Sequence, residues 1–195
     1  EFVLSDMKEI RKSTKKPVIV VGPEHTYLIT SIKSRSDSRV SILEWYYILF
    51  RNENRNYIIR YVETISPNKK SKFLKSNLIE FNNDSLFSSL TKNKSALLSE
   101  EVLPYIYLDS VMGIPVYKKD FPMHTFPFAF SVHYEGDIFA AFEFDEIAMK
   151  PTSMPGVTEF PKNLNYQYNS QTNIFRLYTL LNNLLAEYDE KFEFP

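Results

Sequence analysis

The segment from Arg39 to Ile65, RVSILEWYYILFRNENRNYIIRYVETI, constrains the fold more than any other part of the chain. β-Branched and aromatic residues fill two runs separated by the polar turn NENRN, a composition that favours pleated strands over helix. With a period of two, Val40, Ile42, Glu44, Tyr46, Ile48 and Phe50 fall on one side of the first run. Leu43, Trp45, Tyr47 and Leu49 fall on the other. Apolar groups on both sides require a cover on each, so the pair is predicted to lie inside a closed or wrapped sheet.

The flanking sequence extends this pattern. VIVV at 18–21 reads as a short buried strand stopped by Gly22-Pro23, and Thr26 to Ile32 as the next strand. Across the polar loop KSRSDSR it opens a meander of 26–32, 40–50 and 57–65. Before it, Ser5 to Ser13 reads as a short helix capped by Ser5. After it, Ser66 to Asn77 reads as a mobile basic connection, and Asp84 to Leu90 as helical turns with Asp84 as N-cap. Residues 95–119 are expected to form a strand, a turn at Ser99 to Glu101 and extended segments, since Pro104 and Pro115 forbid one continuous helix. Phe128 to Phe144 alternates as a hairpin turning at Glu135-Gly136-Asp137. A proline-containing irregular segment follows, then a helix from about Ser170 to Glu190. Its stripe of Ile174, Leu177, Tyr178, Leu181, Leu184, Leu185 and Tyr188 is expected to dock on the sheet. The division implied is an N-terminal extension (1–16), a β core (17–150), and the irregular segment plus helix (151–195).

Composition and charge bound the chemistry. At 195 residues and 44% apolar content the chain can bury one solid core. Its net charge of -1 hides local clusters: Lys8, Arg11, Lys12, Lys15 and Lys16; Lys33, Arg35 and Arg39; Lys69, Lys70, Lys72 and Lys75. Each reads as a solvated loop, and together they leave room for an anionic partner such as DNA. The lack of cysteine excludes disulfides, thiolate zinc sites and cysteine nucleophiles. His25, His124 and His133 show no metal-ligand spacing, and His133 reads as a surface or satisfied histidine. Four glycines build no phosphate-cradling loop and no nucleophile elbow. These residues give an enzyme no support and call for no cofactor; that the chain is not an enzyme is what the resemblance described below implies. No apolar run reaches membrane-spanning length, so the expected setting is intracellular, with no membrane partner.

Read in order, TYLITSI, KSRSDSR, VSILEWYYILFRNE, ALLSEEVLPYIYLDSVMGIPVY and FAFSVHYEGDIFAAFEFDEI resemble a bromo-adjacent homology (BAH) domain, in the form carried by origin-recognition and heterochromatin-silencing proteins. The match runs over about residues 17–150. The quoted features are an acidic residue closing the hydrophobic strand (Glu53), the block Leu98-Ser99-Glu100-Glu101 with Asp109 to Gly113, and Phe130, Val132, Tyr134 and Phe139 of the late hairpin. The resemblance implies a mostly β (α+β) fold: a twisted, barrel-like core with peripheral helices and a C-terminal helix. It implies a nuclear chromatin reader that binds nucleosomes or histone tails, alongside other subunits of an origin or silencing complex. By position, Tyr27, Glu44, Trp45, Tyr47, Glu53 and Glu101 are the implied histone-tail contacts, and Lys33, Arg35, Arg39, Lys69, Lys70 and Lys72 the implied nucleosome or DNA contacts. Some relatives cage a methylated lysine in aromatic walls. Here Tyr27 with Trp45 or Tyr47 would supply two walls, while the third position, near Leu97, is aliphatic. For Trp45 and Tyr47 core packing is the favoured reading over a cage. The alternative function is a protein-docking module of a larger nuclear complex without histone contact.

Overall fold

The structure, a computed structural model, describes residues 2–13, 17–29, 40–65, 72–119, 127–134, 137–151 and 161–195. In chain order its elements are α1 (Phe2–Ser13), β1 (Val18–Ile29), β2 (Val40–Asn52), β3 (Arg55–Ile65), β4 (Lys72–Lys75), β5 (Ile79–Phe81), α2 (Asp84–Lys92) and α3 (Lys94–Ser99). There follow β6 (Tyr107–Val111), β7 (Ile114–Lys118), β8 (Pro127–Tyr134), β9 (Asp137–Asp145), a 3-10 turn (Glu146–Met149), α4 (Tyr166–Asn169), α5 (Asn173–Tyr188) and a last 3-10 turn (Asp189–Lys191).

Strand β2 is the spine of an antiparallel sheet ordered β4-β3-β2-β1-β8-β9, with β5 also paired to β3. The fold is mostly β with a C-terminal helix, as the composition of the 39–65 segment requires. The described strands do not close into a barrel: β4 and β9 stand at the two ends of the order. The predicted two-sidedness of β2 holds. Tyr47 and Leu49 belong to a large core with Ile19, Val21, Ile58, the β8 phenylalanines Phe128 and Phe130, and Leu177, Leu181 and Leu184 of α5. Ile48 and Phe50 point the other way, into a smaller core with Val18, Ile59 and Tyr61 that Ile10 of α1 helps to cover. So α5, α2 and α3 cover one face of the sheet, and α1 covers the other.

Several expectations are corrected. The run that Gly22-Pro23 is expected to end continues as one strand, because those two residues form a bulge: the β1–β2 register shifts between Val21 and Glu24. A proline without an N–H is tolerated where a ladder is already interrupted. Ser5 lies inside α1 and does not cap it. Asn83, not Asp84, is the N-cap residue of α2. The stretch expected to be a strand at 95 is helix α3: Ala96 and Leu97 are strong helix formers, and Leu97 buries against the α5 core. Part of the expected basic connection is strand β4, and residues 66–71 lie outside the described residues. In the late hairpin Tyr134 pairs with Asp137, so the connection is two residues, and a bulge after Val132 restores the pairing of Phe130 with Phe142 and Phe128 with Phe144. His133 is buried, in register with Val18, and shares a 2.9 Å hydrogen bond with Ser131.

The C-terminal helix starts at Asn173, later than expected, because two caps fix it there. Thr172 Oγ1 accepts from Phe175 N at 3.0 Å. The Glu100 carboxylate, arriving from the end of α3, accepts from Asn173 N at 2.6 Å and Ile174 N at 3.2 Å. An anion at a helix N-terminus is favoured by the helix dipole as well as by the bonds.

Besides the packing of Ile10, the Asp6 carboxylate ties helix α1 to the sheet. Tyr61 Oη donates to Asp6 at 2.7 Å, and Lys75 pairs with the same oxygen. Burial pulls the Asp6 carboxyl upward, but the hydrogen bonds from Lys75 and Tyr61 outweigh it and hold it below its ordinary value. A depressed carboxylate adds stability above its unfolded value and loses it as pH falls through the folded one. Acidification is therefore expected to loosen α1 before the rest of the sheet. Amide exchange across residues 2–13 should rise selectively at low pH, and Asp6→Asn should produce that rise at neutral pH. Uniform protection in both cases would refute the tether.

Candidate functional site

The expected tail-binding residues divide between the two faces of β2. Trp45 and Tyr47 lie on the α5 face, and Glu44 on the α1 face, where Tyr46 Oη donates to it at 2.6 Å and Glu63 stands opposite it in register. Burial, followed by the Glu44 hydrogen bond, pushes the Tyr46 hydroxyl well above its ordinary value. Glu53 sits exposed at the β2–β3 turn with a positive φ of 52°, and Glu101 is exposed just after α3. Tyr27 lies on β1 in register with Ile42. Lys33, Arg35, Arg39, Lys69 and Lys70 lie outside the described residues, and Lys72 is exposed on β4. Of the expected set, then, the structure brings Trp45 and Tyr47 together and separates Glu44, Glu53 and Glu101 from them.

Around that aromatic pair lies an open groove of about 720 Å³, lined also by Arg60, Glu146, Asn182 and Asp189. Strand pairing explains its centre. Arg60 is directly opposite Tyr47 on β3 and diagonal to Trp45, within reach for a long side chain. Its guanidinium carbon stands 3.7 Å from the centroid of the Trp45 ring, 5.5 Å from Tyr47 and 5.3 Å from Phe192. Arg60 Nη1 donates to Asp189 Oδ1 at 2.7 Å and to the Asp189 carbonyl at 3.3 Å. The C-terminal segment is thereby drawn over the sheet, and Asn77 secures it further: Asn77 N donates to the Glu193 carbonyl, and Glu193 N to Asn77 Oδ1, both at 3.0 Å.

On the opposite bank, Glu146 accepts from Tyr178 Oη at 2.9 Å and from Asn182 at 3.5 Å, with Lys150 at 3.5 Å. The groove thus sets two carboxylates beside an aromatic floor, Asp189 paired with Arg60 and Glu146 with Lys150 at its edge. Such a surface suits cations, which gain from both the ring quadrupole and the carboxylates.

Trp45 and Tyr47, the candidates for one wall of a methylammonium cage, are therefore occupied by the chain's own Arg60. The third ring beside Arg60 is Phe192, and Leu97, the position expected near the third wall, is buried in the α5 core. Tyr47 is buried and also packs on Phe192 at 5.9 Å, so for it the core-packing alternative holds. Arg60, Glu146, Asn182 and Asp189 were missed in the sequence. The available signal was Arg60 itself, a charge on the alternation of Ile58 and Val62 where apolar residues belong.

No protein-family model, curated protein or solved structure matches this chain. Among the described residues no group of three or more histidine, aspartate or glutamate side chains could hold a metal ion. No described helix is long and apolar enough to cross a membrane.

Proposed function

We propose that this chain is a binding module of chromatin-reader type, taking a basic protein segment such as a histone tail and, through its basic loops, the nucleosome. The observation that carries the reading is the groove over Trp45, whose aromatic floor and Asp189 carboxylate already hold one guanidinium. The order and spacing of the segments quoted above supply the family: a BAH-type module from an origin-recognition or silencing protein, working in the nucleus. That family brings with it a barrel-like wrapping of the sheet and no catalytic step.

The chain has a single tryptophan, and it lines the groove, so intrinsic fluorescence reports occupancy of this site. A lysine- and arginine-rich histone-tail peptide is expected to change Trp45 emission, and Asp189→Lys to weaken that binding about tenfold through charge reversal at the rim. The nucleosome half of the reading is tested separately. Binding should fall with salt, and replacing Lys33, Arg35 and Arg39 together by alanine should lower the slope of log K against log salt by about 3. A clean failure to bind nucleosomes at low salt would transfer the module to docking within a larger complex without histone contact. An unchanged slope in the triple variant would remove the basic loop from the interface.

A further inference from the structure

Arg60 fills the aromatic floor of the groove from within the chain, and its bonding there is uneven. The side chain is only 12% exposed. Nη1 makes both bonds to Asp189, while Nε is buried with no hydrogen-bond acceptor among the described residues. A donor cut off from water and left without an acceptor disfavours the state that holds it. The backbone takes no part in this. Arg60 N donates to Ser76 Oγ at 3.0 Å, and Ser76 N to the Arg60 carbonyl at 2.9 Å. Withdrawing the guanidinium therefore asks for new side-chain rotamers and leaves β3 in place.

A formed site remains when Arg60 leaves. Asp189 follows α5 directly, and the segment beyond it is fixed by Phe192 in the α5-side core and by the paired bonds of Asn77 with Glu193. Its place does not depend on Arg60. The Asp189 side chain is 59% exposed and lines the groove, so an incoming cation can reach it. Trp45 offers a ring face, and Asp189 offers a carboxylate and a backbone carbonyl to the nitrogens of a guanidinium stacked on that ring. A planar fork fits such a site, whereas an ammonium is a point charge that does not stack.

We propose that this groove is an arginine-recognition site kept occupied by the chain's own Arg60, and that the arginine of a partner segment binds by displacing it. The inference rests on the groove being a cation site, as proposed above, and adds the side chain it selects and the contact that regulates it. Arg60 reaches Asp189 through Nη1 alone. An incoming arginine can lay two nitrogens on the same carboxylate, the stronger bidentate pairing. Self-occupancy lowers the apparent affinity by the fraction of time the site stands free.

Arg60→Met removes the guanidinium and keeps an unbranched side chain. The peptide Ac-Gly-Arg-Gly-NH2, titrated against Trp45 emission, should bind this variant about tenfold more tightly than wild type, the gain expected when Arg60 vacates the wild-type site about a tenth of the time. The lysine counterpart should bind the variant about tenfold more weakly than the arginine peptide. Amide exchange at residues 189–193 should be the same in both proteins, and faster exchange in Arg60→Met would make Arg60 a structural clamp and overturn the proposal. A second measurement needs no variant and decides alone if Arg60→Met does not fold. The Arg60 Nε–H, shielded in free wild type, should give a slowly exchanging NMR signal that is lost when the arginine peptide saturates the groove. A signal unchanged at saturation overturns the proposal, as does equal or weaker binding by Arg60→Met, or equal affinity for the two peptides. A histone-tail peptide that binds wild type and Arg60→Met alike sinks the displacement and leaves the chromatin reading standing. The expected pattern with Ac-Gly-Arg-Gly-NH2, together with no binding of a histone-tail peptide to either protein, does the reverse.

Discussion

Gly22→Ala is expected to destabilise the chain by about 3–5 kcal/mol, combining backbone strain with overpacking. At Gly22 φ is +127°, a region that residues with a Cβ rarely adopt, and an added Cβ would stand 2.5 Å from the Trp45 carbonyl oxygen and 3.1 Å from the Tyr46 Cα. Neither atom can retreat. Both belong to β2, whose next residues Tyr47, Ile48 and Leu49 are locked in cores on both faces of the sheet. The bulge exists because β1 must continue past Pro23 while staying against β2, and only glycine permits that approach. Gly113 provides the control. It has φ +79° but open space around it, so Gly113→Ala should cost only about 1 kcal/mol of backbone strain. Urea unfolding measures both through the shift in midpoint. Equal shifts would mean that β1 is not held to β2 at the bulge. Because the displaced atom would be the Trp45 carbonyl, Gly22→Ala should also perturb Trp45 emission, and Gly113→Ala should not.

This bulge also marks where sequence reading stops. Alternation identified both faces of β2, the β8–β9 hairpin and the stripe of α5, because each is a periodic pattern enforced by burial. It could not show that β1 crosses a Gly-Pro pair, since those residues signal a break unless a neighbouring strand holds the ladder together. The 94–99 helix was hidden for a related reason: six residues are too few for a period, and Leu97 is helical because α5 offers it a surface. In the groove, Trp45 and Tyr47 were visible as aromatics on one face, but their cation comes from Arg60 on the next strand and its counter-ion from Asp189. That site is assembled by register and by docking of the C-terminus, neither of which is written in local composition. The β6–β7 hairpin is the reverse case. Its residues read only as extended segments, and the structure pairs them with each other and leaves Leu108, Met112, Ile114 and Tyr117 exposed.

The polar stretch PKNLNYQYNS, part of what reads as an irregular segment leading into the helix, hides the second large effect. Asn169 is fully buried, and its amide joins three segments. Oδ1 accepts from Leu103 N at 3.0 Å, while Nδ2 donates to the Leu103 carbonyl at 2.8 Å and the Ala148 carbonyl at 2.9 Å. Asn163 Nδ2 donates to the same Ala148 carbonyl at 3.1 Å. Replacing Asn169 by leucine should cost on the order of 3–4 kcal/mol, because an N–H and a carbonyl of Leu103 lose their partner inside the protein and Ala148 keeps only one of two. Asn169→Asp is the sharper experiment, since it keeps the shape and reverses the hydrogen-bonding sense at one atom. One carboxylate oxygen still accepts from Leu103 N, but the other meets two carbonyl oxygens, so the folded state holds this carboxyl protonated to a higher pH than the unfolded chain does. The native state then binds more protons than the unfolded one, and stability must rise as pH falls through the folded value. The gap in urea midpoint between Asn169→Asp and the wild type should therefore be widest at neutral pH and should narrow on acidification, when the protonated acid donates to one of the carbonyls. A gap that stays constant with pH would show that Asn169 contributes volume and not hydrogen bonds.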